Sequence, residues 1–147
     1  MFENPDAQAR CALLKKVKTI AVVGLSPNAA RPSHGVARAM QDYGFRVIPV
    51  HPAAQEILGE KVRARLADIP QPVDLVDVFR SAEFIDGIVD ECLALGLKAI
   101  WIQEGIVNEP AAERARAGGM TVIMDRCIYR DYREQCRDAR RSGEFGK

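Results

Sequence analysis

Residues 19–33 read TIAVVGLSPNAARPS, and this stretch decides the fold. Thr19 to Val23 is a compact apolar run without polar alternation, as expected of a strand buried on both faces in a parallel sheet. It stops at Gly24 and gives way to a loop containing Pro27 and Pro32. From about Ser33 to Tyr43, the apolar residues Val36, Ala39, Met40 and Tyr43 recur at helical spacing, and Gly44 stands where a left-handed helix terminator belongs. Strand, loop and helix in that order form the first unit of an alternating α/β chain.

The same alternation extends in both directions. Upstream, residues 6–16 predict a short packing helix with Ala9, Ala12, Leu13 and Lys16 on one side. Downstream, Phe45 to Val50 reads as a second strand. Pro49 within it cannot donate a ladder hydrogen bond, so one side of that strand is expected to be unpaired there. Between His51 and Pro72 the pattern weakens, with EILGEKV suggesting a turn and a short strand and ARLADIP a helical turn. Val73 to Phe79 is a strand despite Asp74 and Asp77, because the run is β-branched. Ser81 is placed to cap the next helix, whose stripe of Phe84, Ile85, Ile88, Val89, Cys92 and Leu93 ends at Gly96. Ala99 to Ile102 is a strand, Asn108 caps a helix stopped by Gly118 and Gly119, and Met120 to Met124 is the last strand.

This order implies a three-layer Rossmann-like α/β fold with an open, mainly parallel sheet of about five strands joined by right-handed crossovers. At 147 residues, 48% apolar, the chain is long enough for one core and too short for two. A single domain over 1–147 is expected, with an N-terminal helix in 1–17 and a charged helical tail in 128–147.

Twenty-one Lys and Arg against 20 Asp and Glu give no general attraction to nucleic acid or to an anionic membrane surface. Any anion site must therefore be local. Cys11, Cys92, Cys127 and Cys136 form no zinc-binding pattern, and reduced thiols in a cytoplasmic protein are the simplest expectation. No basic N-terminal region leads into an apolar stretch and no long apolar window occurs, so neither export nor membrane insertion is expected.

Open parallel sheets bind ligands outside the carboxyl ends of their strands. That rule selects Gly24 to Ser33, His51 to Ala53, Phe79 to Ser81, Gln103 to Gly105, and Asp125 to Cys127. In the first segment Gly24 permits a tight turn, Ser26 offers a hydroxyl, helix-start amides face an anion, and Arg31 adds a fork suited to phosphate. By residue type alone, Arg31 could equally be solvated and Ser33 only a cap. The dinucleotide fingerprint is absent, since its second and third glycines would fall at Ser26 and Ala29. At the end of the second strand, His51 and Pro52 stand where an NAD protein wants an acid for the ribose diol. A ribose phosphate, as in NADP or coenzyme A (CoA), is tolerated there, although His51 could also be a surface histidine.

Taken together, TIAVVGLSPNAARPSHGVARAM, YGFRVIPVHP, EILGEKV, LADIPQPVDLVDVFR and GLKAIWIQEGIVNEPAAERARAGGMTVIMDRC resemble the small CoA-binding proteins. The fold of that family is similar to the N-terminal CoA-binding domain of succinyl-CoA synthetase alpha subunits. The resemblance implies that the backbone around Gly24 and Ser26 holds the pyrophosphate, with Arg31 and Ser33 nearby. It places His51 and Pro52 toward the adenosine, Val78, Phe79 and Arg80 along the adenine and pantetheine path, and Gln103 with Glu104 beside the pantetheine arm. His34 and the tail YRDYREQC depart from the family pattern, in which a histidine-containing segment follows MDRC.

No catalytic constellation stands out. Cys127 reads as a packing cysteine before a reactive one or a partner for the CoA thiol, and Glu104 as a ligand contact or turn cap before a general base. Asp74 and Asp77 read as helix contacts or a polar strand end before a carboxylate pair. The leading expectation is a CoA or acyl-CoA binding module without catalysis of its own, working as a homodimer or with an enzyme partner. The alternatives are an NADP-dependent oxidoreductase and a regulatory protein with a vestigial site.

Overall fold

The structure, a computed structural model, describes residues 2–136. In chain order its elements begin with α1 (Ala7–Lys16), β1 (Thr19–Val23), α2 (Pro32–Asp42) and β2 (Arg46–Val50). A small antiparallel ribbon of β3 (Glu56–Ile57) and β4 (Glu60–Lys61) follows. Then come β5 (Leu75–Val78), α3 (Ile85–Ala94), β6 (Ala99–Ile102), α4 (Glu109–Ala117), β7 (Thr121–Met124) and α5 (Ile128–Asp131), which continues as a wider turn through Cys136.

β1, β2, β5, β6 and β7 form one parallel sheet in the order β2-β1-β5-β6-β7. Alternation along each strand divides the core into two layers. Ala21, Val23, Val76, Val78, Ile100 and Ile102 pack against Ile85 and Val89 of α3 and the alanines of α4. Ile20, Val22, Leu75, Trp101 and Ile123 pack on the opposite face against Leu14 of α1, Met40 of α2 and Ile128 of α5. The three-layer Rossmann-like arrangement is therefore present. β2 is an edge strand of the sheet, but its outer side is not unpaired at Pro49: the Arg63 amide donates to the Pro49 carbonyl and the His51 amide to the Arg63 carbonyl, both at 3.0 Å, because an edge proline still offers its carbonyl.

Several local expectations are corrected. In α1 the buried residues are Arg10 and Leu14, and Ala9, Ala12 and Lys16 face outward. The helix is oriented by an ion pair from Arg10 Nε to Asp131 at 3.0 Å, which apolar periodicity cannot register. Ser81 makes no side-chain cap; a short 3-10 turn, Ala82–Phe84, precedes α3 instead. Asn108 does cap α4, accepting from the Ala111 amide at 3.1 Å.

The cysteines differ from a uniformly reduced set. Cys11 and Cys136 are joined in a disulfide across 125 residues, because α1 and the turn after α5 lie side by side, while Cys92 and Cys127 are free. The two aspartates also separate. Asp74 lies before β5 and accepts from the Lys18 and Thr19 amides, both at 3.0 Å, which fastens β5 to the start of β1. Asp77 sits within β5 between Val22 and Trp101, fully buried, and its Oδ1 has no hydrogen-bond partner among the described residues. Loss of hydration there pushes its pKa well above the usual carboxylate range.

The charged tail is helical from Ile128 to Cys136; the remainder of the expected helix lies outside the described residues.

Candidate functional site

The five strand ends are held in register. Backbone bonds continue past the strands from Gly24 N to Val50 O, Phe79 N to Val23 O, Gln103 N to Val78 O and Asp125 N to Ile102 O, at 2.8 to 3.2 Å. The loops selected from sequence therefore leave the sheet side by side along one edge.

Gly24 has a φ of +86°, a left-handed conformation that disfavours side chains. A Cβ there would also stand 2.8 Å from the Phe79 carbonyl oxygen and 2.9 Å from Arg80 Cδ. The glycine is thus required by the neighbouring chain as well as by the turn. Beyond it the loop is internally bonded. The Ser26 amide donates to Ser33 Oγ at 3.0 Å, the Asn28 amide to Ser26 Oγ at 3.0 Å, and the Ala30 amide to Asn28 Oδ1 at 2.9 Å. Each hydroxyl oxygen already accepts a bond, so Ser26 and Ser33 keep an O–H free to donate toward an anion. Pro32 and Ser33 at the amino end of α2 line the same cleft, and the helix dipole there favours negative charge. The exposed Arg31 guanidinium pairs with no acidic group among the described residues.

Two clefts meet at this loop, sharing Gly24, Ser26, Arg31 and Phe79. One, of about 350 Å³, runs toward His51, Pro52 and Arg80. His51 Nδ1 accepts from the Ala53 and Ala54 amides at 3.1 Å each, which places the proton of the neutral ring on Nε2. The Arg80 guanidinium lies 3.9 Å above the centre of the Phe84 ring. The other cleft, of about 370 Å³, runs toward Gln103, Glu104, Cys127 and Arg130. Glu104 and Arg130 form an exposed ion pair at 2.7 Å on its rim, and the Glu104 hydrogen bond raises the Arg130 pKa. Asp125, itself at φ +63°, accepts from the Gly105 amide at 2.7 Å and ties the loops after β6 and β7 together.

Gly24, Ser26, Arg31, Ser33, His51, Pro52, Phe79, Arg80, Gln103 and Glu104 are therefore gathered around one continuous crevice. Val78 is not among them: it has no exposed surface and points into the layer beneath α3. Cys127, in a segment the strand-end rule selected but read by residue type as a packing cysteine, lines the crevice, and so does Arg130, which sequence reading did not place there. Cys127 stands in the last selected segment, and Arg130 follows one helical turn later, so strand-end position and helical spacing were the available signals. Among the described residues no cluster of His, Cys, Asp and Glu could hold a metal, and no helix is long and apolar enough to cross a membrane.

An open parallel sheet with its polar crevice at the carboxyl edge places this chain in the Rossmann-like α/β class. A family model described as a CoA binding domain matches residues 18–133, and the chain belongs to that family. It is 44% identical over 127 residues to the uncharacterized protein YneT of Bacillus subtilis, covering 86% of this chain and 94% of that one. It is 35% identical, with a TM-score of 0.85, to the structure of cell-free ID.343 from Thermus thermophilus, covering 89% of this chain and 99% of that one. An ADP-forming acetate–CoA ligase II from Archaeoglobus fulgidus is 30% identical over 95 residues, 63% of this chain. That match spans only 14% of the ligase, so the likeness to CoA ligases concerns one domain of a much longer enzyme.

Proposed function

We propose that the crevice holds CoA or an acyl-CoA, and that the chain acts as a binding module without a reaction centre of its own. The observation that carries this reading is the pair of clefts diverging from a single anion-suited loop. The pyrophosphate lies at Gly24, Ser26 and Arg31, facing the amino end of α2. The adenosine occupies the cleft of His51, Pro52 and Arg80, where the 3′-phosphate meets His51 Nε2–H and the Arg80 guanidinium. Pantetheine runs along Phe79 and Gln103. Membership of the CoA binding domain family supports the choice of ligand. The match to part of a CoA ligase supports a partnership with a CoA-using enzyme, in which this chain presents the cofactor.

Calorimetric titration with CoA, dephospho-CoA, NADP and NAD tests the assignment. CoA binds best and dephospho-CoA more weakly. Equal affinity for those two removes the 3′-phosphate role from His51 and Arg80, and preference for NADP replaces this reading with a redox one. Arg31→Ala weakens CoA about tenfold or more if its charged hydrogen bond to phosphate is made; an unchanged affinity makes Arg31 a bystander.

A further inference from the structure

The two free cysteines are both buried, but only Cys127, 9% exposed, borders a cleft. Cys92 is sealed inside α3 with no exposed surface, and burial pushes its thiol up to about 12. Cys127 lines the crevice together with Gln103, Glu104 and Arg130. Beside it is a second feature that calls for a ligand. Gln103 is only 4% exposed and also lines the cleft; its Oε1 accepts from the Ile128 amide at 3.2 Å, which fixes the carboxamide. Its NH2 group donates to no described residue, so the carboxamide lining the cleft beside Cys127 keeps a donor available to a ligand. An amide carbonyl of a pantetheine arm supplies the acceptor.

Placement agrees with this pairing. The anion-suited loop follows β1 and Cys127 follows β7, three strands away in the sheet order, a distance of about 14 Å. An extended arm anchored by its pyrophosphate at the first point carries its sulfur toward the second. Arg130, paired with Glu104 at 2.7 Å, lines the same part of the cleft. Exchange proceeds by attack of a cysteine thiolate on a disulfide sulfur.

We propose, resting on the CoA reading above, that Cys127 exchanges with CoA disulfide to form a mixed disulfide with CoA inside the crevice. The Cys127 thiolate attacks one sulfur of the CoA disulfide, a bond forms between Cys127 Sγ and that sulfur, and the reagent's S–S bond breaks. The second CoA leaves as a thiolate and takes up the proton released by Cys127. The exchange balances without a further oxidant, and a dithiol reverses it.

The test is incubation of the full chain with CoA disulfide or with glutathione disulfide at equal concentration, followed by intact mass and peptide mapping. One CoA per chain, mapped to the peptide containing Cys127, forming at least tenfold faster than the glutathione adduct and removed by dithiothreitol, is expected. Cys127→Ser abolishes the adduct and Cys92→Ser leaves it. Equal rates for the two disulfides, modification of Cys92, or no adduct overturns the proposal. Peptide mapping of the unsubstituted chain decides the site even if Cys127→Ser folds poorly. Parallel calorimetry with reduced CoA separates the two readings: binding without an adduct rejects the thiol exchange alone, and neither binding nor adduct rejects the CoA assignment as well.

Discussion

The backbone amide of Ser26 donates to the hydroxyl oxygen of Ser33 at 3.0 Å, closing the loop after β1 onto the helix that follows it. Ser33 is 6% exposed, so the bond is largely shielded from water. Ser33→Ala leaves the Ser26 amide without this acceptor. Stability falls by about 1 kcal/mol in denaturant titration, and CoA affinity falls with it, because the loop must then be ordered on binding. A loss of stability with unchanged affinity would show that the loop is already shaped by other contacts.

Gly24→Ala combines a left-handed backbone with a Cβ 2.8 Å from the Phe79 carbonyl oxygen. The conformation alone costs about 1 to 2 kcal/mol, and the clash adds to it by separating β1 from the chain after β5. The expected result is a lower thermal midpoint together with loss of CoA binding. A variant of ordinary stability would place the close approach in doubt.

Asp77 is a carboxyl group in the middle of the sheet whose Oδ1 has no partner among the described residues, and burial raises its pKa well above the usual 3.8. The folded state therefore binds this proton more tightly than the unfolded chain. Its contribution to stability is fully present below pH 3.8 and is lost as pH rises through the elevated folded value. Asp77→Asn removes this pH-dependent loss, so its advantage over the unsubstituted chain grows from acid toward alkaline pH. Thermal melts across that range check the sign, and parallel curves would contradict it.

Asp131 accepts from Arg10 at 3.0 Å and from Arg126 twice at 2.7 Å, with its side chain 4% exposed. Asp131→Ala leaves the buried Arg10 without its carboxylate, with only Pro5 O and Gln135 Oε1 still accepting from it, and costs about 3 kcal/mol. Arg10→Leu costs less, since Arg126 still neutralises the carboxylate. Urea unfolding of the two variants gives that order, and equal losses would show that Arg126 does not compensate.

The Cys11–Cys136 bond closes a loop of 125 residues and ties α1 to the end of the described chain. On the chain-entropy account such a long loop contributes up to about 5 kcal/mol. Cys11→Ser, compared with the oxidised protein in the absence of reductant, unfolds at lower denaturant; no change would mean that the unfolded chain is not constrained by the link.

Sequence reading reached what local pattern controls. TIAVV, AIWI and TVIM are continuous apolar runs because their strands are covered on both faces, and Pro49 marked the strand at the edge of the sheet. The strand-end rule then located most of the crevice without any contact being known. Three of the misses depend on distant partners. Arg10 turns α1 toward a residue 121 positions away, Cys11 toward one 125 positions away, and Asp77 looked like a polar strand end although both flanking strands bury it. Val78 was assigned by resemblance to a ligand path, yet the strict alternation of β5 turns its side chain to the opposite layer from Phe79. Cys127 was read as packing although its segment was selected, because a cysteine after a strand resembles core, and Arg130 escaped because an arginine in a charged tail resembles surface.

The central claim is that one ligand, CoA, spans both clefts from the loop after β1. Amide NMR spectra recorded through a CoA titration test it most directly. Saturable shifts at Gly24 and Ser26, continuing to His51 on one side and to Gly105 on the other, are predicted. Saturation with shifts confined to any other surface, or a spectrum of folded protein unchanged by excess CoA, would contradict it.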